Sequence, residues 1–183
     1  MSKTQYTEDN LVQQTTADYL LHDLKWDESF YGLHERLGKE GDLGRESERD
    51  VILSRYLSQA IVELNPNLPA EAHKAALKTI TQQSTSKDIT GTNRDNYKLH
   101  LNGVEVSFRD QQGNRTRKKV RLFDFEDYDN NHFLLVREFW VQGEVERKRA
   151  DLVGFVNGIP LVFMEFKNLS KNIRAAYEVN LAE

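Results

Sequence analysis

The chain has 183 residues, 38% of them hydrophobic, which suits one domain with a real core. A charged fraction of 30% and only 3 prolines argue against wholesale disorder, and a net charge of −4 argues mildly against a dedicated nucleic-acid binder. With no cysteine, disulfides, thiolate-held zinc and cysteine nucleophiles are excluded, and with no apolar run near ~18 residues and no signal-peptide core, a soluble cytoplasmic chain without a membrane partner is expected.

Residues 7–24 read as an amphipathic helix marked by Leu11, Tyr19, Leu20 and Leu24. Residues 25–44 carry Gly32, Gly38, Gly41 and Gly44 and read as a loop. Val51, Ile52, Leu57, Ile61 and Leu64 form one apolar stripe and predict a helix over 47–64, ended by Asn65-Pro66. Pro69 opens a third helix, over 70–83. From about residue 85 the pattern changes. Residues 104–109 alternate as a strand does, Gln112-Gly113-Asn114 is a turn, and strands follow over 119–125 and 133–141. Residues 153–156 and 161–166 are nearly continuous apolar runs, the mark of strands buried on both faces. A last helix begins at 173 and the chain stops inside it, as expected of the N-terminal fragment of a longer protein. The expected fold is α/β, a single domain over 1–183, mostly helical through 85 and sheet-rich from 86 onward.

Chemistry concentrates in the segment from Arg149 to Asn168, most of it apolar, with Asp151, Glu165 and Lys167 standing near its ends. Glu165 and Lys167 stand two apart, so on a strand they share a face, with Phe166 on the other. Buried charges are costly unless paired or metal-bound. Asn157-Gly158 signals a hairpin between Asp151 and Glu165, and its geometry decides whether the two carboxylates meet. A regular two-residue loop pairs Val156 with Ile159 and sends Asp151 to the wrong face. A three-residue loop with Gly158 in a G1 bulge, or another odd-residue bulge, puts Asp151 on the face of Glu165. If the carboxylates converge, they make an oxygen-rich cradle for Mg²⁺ or Mn²⁺, with the Phe166 backbone carbonyl as a third ligand and Lys167 beside the activated water. The plainer reading is an Asp at a strand start and an exposed Glu/Lys pair at a strand end.

Asp151 followed by Glu165-Phe166-Lys167 matches the Asp…Glu-x-Lys pattern of the PD-(D/E)xK nucleases. The run Phe155-Val156-Asn157-Gly158-Ile159-Pro160-Leu161-Val162, leading into Glu165-Phe166-Lys167-Asn168, closely resembles the nuclease segment of type I restriction-enzyme motor (R) subunits. Asn102-Gly103-Val104, Phe123-Asp124-Phe125, Asn131-His132-Phe133 and Leu64-Asn65-Pro66 are similar to that family too. The resemblance implies a restriction-endonuclease-like mixed β-sheet flanked by α-helices. It implies a Mg²⁺-dependent endonuclease that cuts double-stranded DNA, with Asp151, Glu165 and Lys167 as catalytic residues. It further implies partnership with ATP-driven motor domains of the same subunit and with methylation and specificity subunits. No Gly-x-x-x-x-Gly-Lys-Ser/Thr loop is present, so ATP would act only through motor domains absent from this chain. Ala150 stands where the family pattern has Pro, and a Gln-x-x-x-Tyr motif is not matched near Asn180.

Glu48, read at the start of the second helix, is the candidate for an additional metal carboxylate, against a plain role complementing the helix dipole. Arg147, Lys148, Arg149, Lys171 and Arg174 are the candidate DNA contacts, being near the proposed site. Arg115, Arg117, Lys118, Lys119 and Arg121 form a second basic cluster, read as a solvated turn and hairpin end able to meet phosphates. Trp26, Phe139 and Trp140 are read as packing residues. The competing functional class is a docking and coupling module of the same complex, inert when isolated.

Overall fold

The computed structural model describes residues 12–82, 89–110 and 112–166. These form two compact units.

The first unit holds Met1–Arg36, Phe133–Phe155 and Pro160–Glu183, and is built on strand β4 (Phe133–Gln142). Its run FLLVREFWVQ buries Leu134, Leu135, Val136 and Phe139. Strand β1 (Glu28–Tyr31) pairs parallel to it, with Glu28 against Leu134 and Tyr31 against Arg137. Asp27 locks the start of this pairing: its carboxylate accepts from Phe133 N–H at 2.7 Å, and its own N–H donates to Phe133 O at 3.0 Å. The sheet continues through β5 (Arg147–Val156) to β6 (Ile159–Met164), in the order β1-β4-β5-β6. Helix α1 (Gln14–His22) covers one sheet face, packing Ala17 and Leu20 with Leu135 and Leu152, and with Trp26, Met164 and Phe166 beside them. Gly154 is required here by close approach: a Cβ would lie 2.6 Å from the Trp26 indole and 3.0 Å from Val162 Cβ.

The second unit holds Leu37–His132 and Val156–Ile159. Helix α3 (Ala70–Thr81) packs on a separate hairpin of β2 (Val104–Arg109) and β3 (Arg115–Val120), and helix α2 (Ser54–Leu64) packs on α3. Helix α4 (Ile89–Asn102) precedes β2. The core joins Leu57 and Ile61 of α2, Ala72, Ala76 and Ile80 of α3, Val104, Val106 and Val120 of the hairpin, and Leu122, Phe123 and Ile159.

Asparagine side chains stand in for strand neighbours. Asn65 ends α2, accepts from Arg121 N–H at 2.9 Å and donates to Arg121 O and Ile61 O, each at 2.9 Å. Asn131 brackets Asp124, accepting from its N–H and donating to its carbonyl, both at 2.8 Å. Asn157, 1% exposed, accepts from His132 N–H and donates to Leu122 O, both at 2.8 Å, and donates to Asn131 Oδ1 at 2.9 Å.

Several sequence expectations need correction. The described part of the first helix spans Gln14–His22, and residues 1–11 lie outside the described residues. The glycine-rich stretch contains β1. The second helix starts at Ser54 rather than 47, because Asp50 folds residues 46–50 into a turn: its Oδ2 accepts from Glu46 N–H at 3.0 Å and Ser47 N–H at 2.9 Å. The third helix ends at Thr81. The strand expected over 119–125 is Arg115–Val120, since the backbone of Arg121 is taken by Asn65 rather than by a neighbouring strand. Helix α4 was not anticipated. The helix expected over 173–181 lies outside the described residues.

Candidate functional site

The β5–β6 hairpin carries the proposed carboxylates. Asn157 and Gly158 have φ of +53° and +77°. Positive φ at both central residues is the type I′ arrangement, so the three-residue G1 loop is not the one used. Asn tolerates this conformation, and Gly158 is additionally required by space: a Cβ there would lie 2.5 Å from Leu53 O and 2.8 Å from Leu57 N.

The carboxylates nevertheless reach the same face. Leu152, Met164 and Phe166 pack in the α1-covered cluster, and the Cβ direction of Gly154 points at Val162. Even-numbered residues of β5 therefore share a face with residues 162, 164 and 166, and Asp151 shares the opposite face with Glu165. A regular ladder outward from the two-residue turn would set Gly154 against Leu161 instead. One extra residue is accommodated between Ile159 and Val162, where Pro160 has no N–H to give to the ladder. This is an odd-residue bulge, of the kind the convergence requires. It brings Asp151 opposite Glu165, at a position where facing Cβ atoms stand about 4.5–5.5 Å apart. Direct contact agrees: Asp151 Oδ2 accepts from the N–H of Phe166 at 2.8 Å, which pins the carboxylate to the Glu165-Phe166 peptide. Both Asp151 and Glu165 are half-buried.

The remaining site candidates divide. Lys167, Lys171 and Arg174 lie outside the described residues. Glu48 belongs to the second unit and sits on the Asp50 turn, not on a helix. Among the described residues, no group of three or more His, Cys, Asp or Glu converges as a metal site, so a metal here would rest on two carboxylates and backbone oxygen. Arg147 lays its guanidinium over the Trp140 ring, 3.7 Å from the centroid. Lys148 is 3.9 Å from Glu146 on the surface. Arg149 has its Nε 2.6 Å from Glu138 Oε2 and its guanidinium 5.6 Å from the Trp140 centroid.

Glu138 was missed from sequence. It is 4% exposed and holds φ of +56° in the middle of β4. Left-handed backbone is strained for a non-glycine residue and is seen mainly where surrounding structure over-determines it. The available signal was one carboxylate inside FLLVREFWVQ, an otherwise apolar strand apart from Arg137 and Gln142. Its partner Arg149 stands two residues before Asp151 and shares its face, so the ion pair lies next to the acidic pair on the sheet.

Residues 5–180 match the family model of the type I restriction enzyme R protein N terminus. The endonuclease subunit of the type I restriction enzyme HindI of Haemophilus influenzae is 36% identical over 165 residues, covering 87% of this chain and 15% of that protein. The putative type I restriction enzyme MjaIXP endonuclease subunit of Methanocaldococcus jannaschii is 37% identical over 131 residues, covering 70% of this chain and 12% of that protein. The chain thus spans a small part of the length of the curated relatives it matches. No solved structure matches. In the described residues no helix is long and apolar enough to cross a membrane. With a family match over nearly its whole length, the chain belongs to the type I restriction enzyme R protein N-terminal family.

Proposed function

We propose that this chain is the nuclease domain of a type I restriction enzyme, hydrolysing DNA phosphodiester bonds with Mg²⁺. The observation that carries the reading is the contact of Asp151 with the Glu165-Phe166 peptide, on the face that Glu165 shares. The donor set fits a hard cation, because Mg²⁺ takes carboxylate and carbonyl oxygen and keeps several waters. A carboxylate offers about four lone-pair positions, and the Phe166 N–H occupies one of those on Asp151. Asp151 and Glu165 would hold the ion, with the Phe166 carbonyl as the third oxygen. When bound, the ion supplies Lewis acidity toward the scissile phosphate and a water of lowered pKa.

Asp151, held by Phe166 N–H, keeps its orientation through this contact. Lys167 contributes a cation for the negative charge that develops on the phosphate oxygens. Arg147 and Lys148 belong to the basic run that precedes Asp151 and would meet phosphates on the way in. Target choice, translocation and ATP use fall to motor domains and to methylation and specificity subunits.

The test uses the full-length subunit in its assembled complex. Asp151→Ala and Glu165→Ala should each abolish Mg²⁺-dependent plasmid cleavage while DNA binding and assembly persist. Cleavage at the wild-type rate by a folded Asp151→Ala enzyme would refute the assignment.

A further inference from the structure

The β2–β3 hairpin has two unlike faces. Val104, Val106 and Val120 point into the core with Ala72, Ala76 and Ile80 of α3. The antiparallel register sets Glu105 against Lys119, Ser107 against Arg117 and Arg109 against Arg115. All of these are exposed, and by strand alternation they form the outer face. It therefore carries Arg109, Arg115, Arg117 and Lys119 against the single carboxylate of Glu105.

Three features set this face apart from an ordinary solvated surface. Its balance is strongly positive, four cations to one carboxylate, in a chain whose net charge is −4. Like charges stand directly opposite at Arg109 and Arg115, an arrangement that destabilises a sheet unless an anion intervenes. The internal counter-charge is weak: Arg117 lies 3.9 Å from Glu105, with side chains 70% and 60% exposed, a distance and exposure at which ion pairs contribute about 0–1 kcal/mol. Three of the four cations are arginines, whose planar fork matches phosphate oxygens.

We infer that the outer face of the β2–β3 hairpin is a phosphate-backbone docking surface for duplex DNA, separate from the residues proposed for cleavage. A two-stranded ribbon fits the major groove, ~12 Å wide, and alternate residues along a strand repeat every ~6.8 Å, a ladder of cations that follows a charged backbone. Phosphate contacts fix position without reading sequence, as suits a domain whose target is chosen elsewhere. The choice of DNA as the polyanion rests on the nuclease reading, and the experiment is arranged to separate the two.

Binding of a fluorescently labelled duplex to this chain is measured by anisotropy in EDTA, across a series of salt concentrations. No cleavage is involved, so the result is independent of whether Asp151 variants lose activity. Wild type is compared with the Arg115→Gln/Arg117→Gln/Lys119→Gln triple variant and with Lys39→Gln, an exposed cation outside the hairpin. The slope of log K against log salt should fall by ~0.9 per phosphate contact removed, hence by up to about three units in the triple variant, equally for unrelated duplex sequences. Lys39→Gln should leave it unchanged, and the triple variant should melt at or above the wild-type temperature, since it relieves the Arg109–Arg115 repulsion. An unchanged slope and affinity in the triple variant, or wild-type chain that binds no duplex at low salt, overturns the inference. So does a triple variant that binds DNA normally but fails to assemble with partner subunits, since that makes an acidic protein surface the occupant.

Discussion

Asn157 offers a direct measure of how much the hairpin tip contributes to folding. Replacing it with Ala removes three buried side-chain hydrogen bonds, to His132 N–H, Leu122 O and Asn131 Oδ1. Each is worth about 1 kcal/mol net, and a buried partner left unsatisfied costs about 1–3 kcal/mol. Water cannot readily substitute, because the residue is 1% exposed. Ala must also hold the φ of +53°, which costs an L-residue about 1–2 kcal/mol. The expected loss is about 4–6 kcal/mol, a large share of the ~5–15 kcal/mol of a typical domain. Asn157→Gly loses the same bonds but adopts positive φ freely, so it should be about 1 kcal/mol less damaging than Asn157→Ala. Urea unfolding followed by far-UV circular dichroism reads both. Losses below about 1 kcal/mol in both variants would refute the hydrogen-bond reasoning, and equal losses would refute the backbone component.

Two further predictions concern charge. Arg149→Ala strands the buried Glu138 carboxylate. A fully buried pair broken this way costs ~3–5 kcal/mol, and with the Arg149 side chain 41% exposed about 1–3 kcal/mol is expected here. Glu138→Gln in the Arg149→Ala background should recover part of this loss, and a double-mutant cycle with zero coupling would show that the pair does not interact. With pH, burial holds the His100 imidazole below its ordinary value of 6.5, so the unfolded chain binds the proton first. Stability should therefore decline as pH falls below about 6.5, and His100→Gln should flatten that limb in thermal melts. Asp124 is held below the ordinary 3.8 by hydrogen bonds from Asp127 N–H, the Asn130 side chain and Glu126 N–H, with Arg121 nearby. Its contribution is complete above 3.8 and is lost as pH falls through the depressed value, an acid limb that Asp124→Asn should remove.

Strand β2 was legible to the residue because one face is buried and the other wet, so Val104 and Val106 alternate with Glu105 and Ser107. Strand β1 was not. Its ESFY is nearly all exposed, and what makes it a strand is pairing with β4, information held in another segment. Val51 and Ile52 extended the apparent second helix because apolar spacing does not report backbone: Ile52 packs on the core from outside the helix, Val51 is exposed, and the Asp50 turn precedes both. Helix α4, ITGTNRDNYKLHLN, carries too few apolar residues to show a stripe. At the candidate site, Asp151 and Glu165 were singled out from spacing, and the need for an odd bulge to bring them to one face followed from alternation. The location of that bulge was not readable, since Asn157-Gly158 serves either turn type and Pro160 signals only a missing donor. Much of the family-like text, Asn65, Asn131 and Asn157 in particular, proves to hold loops to backbone groups rather than to perform chemistry.

The bulge beside Pro160 also gives the hairpin something like a reading frame. Every side chain beyond it is assigned to the helix-covered face or to the carboxylate face by the parity of the count from Asn157. Loss of one residue there would leave Asn157-Gly158 and the apolar runs intact, yet it would drive Glu165 toward α1 and turn Phe166 outward. Loss of two would restore the phase. Length changes in this segment should accordingly be tolerated in even steps and not in odd ones, whatever residues are used to make them.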